Sequence, residues 1–219
     1  MSIYQHLRDG IQRAVYVAID RPIAAAVRCG ITPNIITTLG LVGNIVAAAL
    51  FVMAVGNDGV PCYDLIGWGG VVILVASIMD MVDGRMARNH GLCSRFGAFY
   101  DSVLDRYCEL FTLSGIAYCF FATRHEWWAL VTLLSLIGSI MVSYVRARAE
   151  GLGVECKVGL MQRPERVVLT CVGAMACGAL NGVVSCDALW LLAAPQMLIA
   201  VLANWTAAMR IRHTYTATR

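Results

Sequence analysis

Long apolar runs of about twenty residues, broken by short polar stretches, limit what this chain can fold into. Six are readable: residues 35–55, about 65 into an Asp-rich segment at 80, 97–121, 127–144, 167–180 and 189–209. Of 219 residues, 59% are hydrophobic and 14% charged, with a mean hydropathy of +0.69. Those values belong to multi-span helical membrane proteins and not to soluble domains. The expected fold is an all-α integral membrane protein with six transmembrane helices plus an N-terminal interfacial amphipathic helix. In that N-terminal segment, Tyr4, Leu7, Ile11, Val15, Ile19 and Ile23 alternate with Arg8, Asp9, Arg13, Asp20 and Arg21, as in helices that lie in the membrane interface. It has no apolar core with a small-residue cleavage site, so no cleaved signal is expected. The organisation read from the sequence is a juxtamembrane helix over 1–30 and one six-helix domain over 31–219.

Laying out six spans also sorts the charges. All 17 Lys and Arg residues except Arg124 fall on one side, which the positive-inside rule makes cytoplasmic, with both termini. The nine cysteines have no metal-ligand or disulfide spacing, and most sit in apolar runs as small hydrophobes. Cys62 and Cys186 fall in loops on the outer side, where nothing in the sequence supports a bridge.

Within this apolar chain, Asp80-Met-Val-Asp83-Gly84 and Gly97-Ala-Phe-Tyr-Asp101-Ser-Val-Leu-Asp105 hold four carboxylates in two pairs. Helix residues three or four apart share a face. Each pair is thus a two-pronged oxygen donor with roughly 4.5–6 Å of axial separation at about 1.5 Å per residue. Gly84 and Gly97 clear space beside the pairs for close approach of a backbone or ligand. Four clustered carboxylates cannot all stay ionised without bound cations or protons. An all-oxygen donor set with no His or paired Cys favours a hard divalent cation such as Mg²⁺ over zinc. Two bridging ions about 3.5–4 Å apart would suit a phosphoryl displacement. A cation transporter would place such carboxylates near the midplane in broken helices or repeats. Here they lie toward one face and no repeat is visible.

The full spacing D-x2-D-G-x2-A-R-x8-G-x3-D-x3-D is met by Asp80, Asp83, Gly84, Ala87, Arg88, Gly97, Asp101 and Asp105. It resembles the signature of the CDP-alcohol phosphotransferases. That resemblance implies a transferase of phospholipid biosynthesis that takes CDP-diacylglycerol as donor and releases CMP. It further implies two Mg²⁺ ions, with Mn²⁺ as a substitute, held by Asp80, Asp83, Asp101 and Asp105. Asp80 and Asp101 would bridge both ions, and Asp105 would double as the base for the acceptor hydroxyl. Gly84, Arg88 and Ser94, with Asn34, Ile35, Ile36 and Thr37, would contact the CDP-lipid. A homodimer among membrane lipids and no nucleic-acid partner are also implied.

A second basic constellation lies on the carboxylate side: Arg146, Arg148, Lys157, Arg163 and Arg166. Orientation charge and contact with anionic lipid explain part of it. A phosphate pocket is the functional alternative, since the guanidinium fork suits phosphate oxygens. Arg146 and Arg148, two apart, cannot share a helical face. At most one points into a given pocket, while the other pairs with Glu150 or a partner helix. The pattern Tyr-Val-Arg-Ala-Arg-Ala-Glu … Arg-Pro-Glu-Arg is similar to that of phosphatidylinositol-phosphate synthases and their archaeal counterparts, which implies a phosphorylated polyol such as inositol 1-phosphate as acceptor. Arg146, Arg148, Arg163 and Arg166 would bind its phosphate. The subgroup often has Lys where Arg146 stands, and glycerol 3-phosphate or free inositol remain alternative acceptors.

Overall fold

The computed structural model describes residues 23, 25–56, 58–183 and 187–219. Most of the 1–30 amphipathic segment falls outside that range, with 23 and 25–30 inside it. Cys186 does too, and with it any bridge to Cys62, whose side chain is exposed. Six long helices are present among the described residues: α1 (Pro33–Met53), α2 (Tyr63–Asn89), α3 (Arg95–Ala122), α4 (Glu126–Gly151), α5 (Arg163–Ala179) and α6 (Leu189–Ala217).

Their ends follow local chemistry. Pro33 opens α1 in the first turn, where its missing N–H leaves no bond unmade. Asp64 sits in the first turn of α2 and Arg88 in its last, both favourable to the helix dipole. Beyond Asn89 the chain reverses through Gly91 at φ +65°, a conformation glycine adopts without strain. Ser94 then caps α3, its hydroxyl accepting from the Gly97 N–H at 2.8 Å. Two boundaries differ from the sequence reading. The apolar run of α2 ends at the Asp motif, yet the helix continues through Arg85–Asn89, because polar residues of good helix propensity extend a helix beyond the membrane. Arg163 and Arg166, which precede the apolar run read from 167, lie in the first turns of α5, where Pro164 suits a helix start.

The packing order closes a ring. Contacts run α1–α2, α2–α5, α5–α6, α6–α4, α4–α3 and α3–α1, so each helix has two main neighbours. Close approach is set by small residues: a Cβ on Gly70 would stand 2.8 Å from the Cys171 carbonyl oxygen and the Met175 nitrogen of α5. One end of the ring is filled by an apolar core of Phe51, Ile66, Ile116, Phe120, Leu189 and Leu192. Each comes from the end of its helix farthest from the carboxylates.

Polarity is inverted relative to a soluble bundle. Leu39, Val46, Leu134, Ile137 and Val201 are exposed, while Thr112, Ser135, Ser139, Thr170 and Gln196 are buried. The interior groups bond one another across helices: Thr112 to Asn44 at 3.0 Å, Ser135 to Gln196 at 3.1 Å, and Gln196 to Thr170 at 3.2 Å. Such bonds hold helices together where lipid removes the hydrophobic drive. Four helices, α1, α2, α4 and α6, are long and apolar enough to cross a membrane. Of the other two, α3 carries Asp101, Asp105, Arg106 and Glu109, and α5 has 17 residues.

Candidate active site

The carboxylates meet inside the ring at the end away from the apolar core. Asp80 and Asp83 come from α2 and Asp101 and Asp105 from α3, helices that are not main packing neighbours. Both helices pack on α1, and three of the four carboxylates converge between them. Asp80, Asp101 and Asp105 each offer an oxygen, and the three atoms lie within 4.8 Å of one another. Asp83 is 4% exposed, and its Oδ2 is buried without a hydrogen-bond partner. A buried carboxylate oxygen left unpaired beside three further carboxylates is costly to maintain, and oxygen-binding cations relieve that cost. The donor set thus fits a hard divalent ion.

Two adjacent cavities flank the cluster. Asp83 and Asp101 line one of about 200 Å³, together with Pro33, Asn34, Thr37, Gly84, Arg88, Ser94 and Gly97. Five of the seven residues assigned from sequence to the CDP-lipid line this cavity. The other two do not: Ile35 is exposed, and Ile36 packs with Ile23 and Met86. A Cβ on Gly84 would lie 3.2 Å from Arg88 Nη1, so the Arg88 side chain folds back over this glycine. Asp80 and Asp105 line the second cavity, of about 40 Å³, with Cys108, Glu109, Arg163 and Arg166. Thr37 borders both.

The four candidate acceptor arginines are not gathered in one place. Arg163 bridges the cluster, with Nη1 2.7 Å from Asp80 Oδ2 and Nη2 2.7 Å from Asp105 Oδ1. Arg166 is buried, donating from Nε to Glu109 Oε1 at 3.2 Å, again from Nη2 to the same oxygen, and from Nη1 to the Met161 carbonyl at 3.3 Å. Arg146 pairs with Glu150 on the surface at 2.8 Å, and Arg148 is exposed. Arg163 and Arg166 thus share a cavity with the carboxylates, while Arg146 and Arg148 lie outside its lining.

Two residues of this region went unread in the sequence. Glu109 follows Asp105 by four and Asp101 by eight, so its register was visible; it holds Arg166 beneath the cluster. Arg210, counted as tail charge, is 3% exposed and donates to the Val158 carbonyl at 2.9 Å and the Val142 carbonyl at 2.6 Å. It ties the loop before α5 to α4 and α6, and no local pattern distinguishes such an arginine from a surface one.

A six-helix ring with an all-carboxylate centre between two cavities is the arrangement the D-x2-D-G-x2-A-R signature builds, and comparison with known proteins agrees. The profile of the family described as CDP-alcohol phosphatidyltransferase matches residues 30–210, and the chain belongs to this family. Among its relatives, the phosphatidylinositol phosphate synthase of Mycolicibacterium smegmatis is 35% identical over 173 residues, 74% of this chain and 70% of that protein. Two crystal structures of the Mycobacterium tuberculosis phosphatidylinositol phosphate synthase superpose on the fold, each at 28% identity and covering 90% of this chain. The one in complex with manganese and citrate has a TM-score of 0.76 over 88% of its own chain. The one with CDP-DAG bound has a TM-score of 0.75 over 92%.

Proposed function

We propose that the chain transfers a phosphatidyl group from CDP-diacylglycerol to a phosphorylated polyol, with inositol 1-phosphate as the leading acceptor, and releases CMP. What carries this reading is the two-sided site: CDP-assigned residues flank Asp83 and Asp101, while the half-buried Arg163 and the buried Arg166 flank Asp80 and Asp105. The first cavity takes the donor's CDP portion, with Gly84 leaving room for the nucleotide and Arg88 supplying charge. Asp80, Asp83, Asp101 and Asp105 would hold two Mg²⁺ or Mn²⁺ ions. Once bound, these would neutralise the pyrophosphate and stabilise the charge that develops as CMP leaves. The acceptor approaches from the side of Arg163 and Arg166, and Asp105 takes its hydroxyl proton. The acceptor oxygen then bonds to the phosphatidyl phosphorus as the bond to CMP breaks.

Detergent-purified protein given CDP-diacylglycerol should release CMP fastest with inositol 1-phosphate among inositol 1-phosphate, glycerol 3-phosphate and free inositol. Preference for glycerol 3-phosphate would keep the arginine side and change the polyol. Preference for free inositol would remove the phosphate pocket from the reading.

In the membrane, all six helices span, and the segment over 1–30 lies along the interface. The carboxylate end and both termini face the cytoplasm, because the basic residues crowd that side. In a cysteine-free background, a single cysteine at Arg219 should react with an impermeant maleimide only from the cytoplasmic side, and one at Asp58 only from outside. Reaction of both from one side would overturn the six-span arrangement.

A further inference from the structure

Arg163 occupies a position that neither orientation charge nor simple acceptor binding accounts for. Its two Nη atoms each make a 2.7 Å ion pair, one with Asp80 of α2 and one with Asp105 of α3. Those carboxylates belong to the trio whose oxygens converge within 4.8 Å. A divalent ion held by Asp80 and Asp105 must draw on the same lone pairs that receive the guanidinium. The guanidinium brings one positive charge to the two carboxylates it bridges, and a divalent ion brings two in a smaller volume, so the ion is the stronger claimant. The bridge also leaves the arginine imperfectly satisfied, since its Nε is buried without a partner. Arg163 is the first residue of α5, directly after the irregular segment 154–162, and a change of its side-chain rotamer redirects the guanidinium with the backbone unchanged. Arg166, three residues on, lines the same cavity and is held fast by Glu109.

We infer that Arg163 competes with the metal ions for Asp80 and Asp105, and that its displacement by them frees the guanidinium to take the acceptor phosphate. Metal loading and acceptor binding are then coupled, and the acceptor site is completed only after the metal site is filled. This rests on the metal and acceptor assignments made above and adds to them an order of events. Such coupling is reciprocal: whatever factor Mn²⁺ contributes to phosphate affinity, phosphate contributes to Mn²⁺ affinity.

The test is metal binding by the detergent-purified full chain without lipid substrate, read by the Mn²⁺ electron paramagnetic resonance signal. Arg163→Gln should bind Mn²⁺ more tightly than the wild type by about tenfold or more, the scale of losing charge-assisted bonds to both carboxylates. Arg163→Lys keeps the charge without the fork and should fall between them. In the wild type, inositol 1-phosphate affinity should rise with Mn²⁺ occupancy, and in Arg163→Gln that rise should shrink. Unchanged or weaker Mn²⁺ binding in Arg163→Gln would overturn the competition. Tightening in Arg163→Gln with Arg163→Lys indistinguishable from wild type would reduce it to through-space repulsion. Equal coupling in wild type and Arg163→Gln would overturn the link to the acceptor. Undiminished Mn²⁺ binding in Asp80→Asn and Asp105→Asn would instead strike the metal assignment itself, so the two failures are told apart.

Discussion

Replacing any one of Asp80, Asp83, Asp101 or Asp105 by Asn is expected to cut CMP release by about a hundredfold or more, with the fold retained. Asn preserves shape and removes one negative charge, so a loss with intact structure reads the charge alone. One oxygen from each of Asp80, Asp101 and Asp105 lies within 4.8 Å of the others, and an ion shared among them would feel the loss of any one. Asp83 gives the cleanest test. Its Oδ2 is buried and unpartnered, so neutralising it removes a burden from the fold while taking a ligand from the site. Asp105→Asn should be the most severe, because general-base catalysis alone contributes about 10²–10⁴-fold. In the wild type, EDTA should abolish turnover and Mg²⁺ or Mn²⁺ restore it; in the variants added metal should rescue poorly. Metal-independent turnover by wild-type protein would refute the proposed chemistry.

The carboxylate motif was legible because spacing along a helix fixes which residues share a face, and Asp80, Asp101 and Asp105 do converge. The apolar runs likewise announced six helices, four of which are long and apolar enough to cross a membrane. Hydropathy does not mark where a helix stops, and α2 therefore runs on through Arg88 to Asn89. That extension places Arg88 one turn beyond Gly84 and sets its guanidinium over the glycine. The packing order was not legible. Only the ring shows that α2 and α3 both pack on α1 and that α5 brings Arg163 against a carboxylate of each. The sequence separated Arg146 from Arg148 by helical face, and Arg146 does pair with Glu150; it did not show that of the four candidate arginines only Arg163 and Arg166 enter the carboxylate cavity. Whether an arginine is buried depends on what lies opposite it, and Glu109 and the carbonyls of Val142 and Val158 are contributed from far along the chain.

Glu109 and Arg166 should separate stability from acceptor use. Arg166 is 3% exposed and Glu109 7%, and the pair is joined through two donors of the guanidinium. Glu109→Ala leaves a buried cation unpaired, a change that commonly costs about 3–5 kcal/mol. It should lower the unfolding midpoint in detergent well below that of the wild type. Replacing both partners by apolar residues of similar volume, Glu109→Leu with Arg166→Met, removes the uncompensated charge and should recover most of the loss. Recovery of the fold should not restore turnover. If Arg166 presents a guanidinium to the acceptor phosphate, its loss removes a contact of about 1.5–3 kcal/mol, or roughly ten- to a hundredfold in acceptor KM. The KM for CDP-diacylglycerol should barely move, because Arg166 lines the cavity of Asp80 and Asp105 and not that of Asp83 and Asp101. A double variant as stable as the wild type but deficient only toward the acceptor assigns Arg166 to substrate. One that regains both stability and acceptor affinity would make the pair a structural strut and leave the phosphate to Arg163.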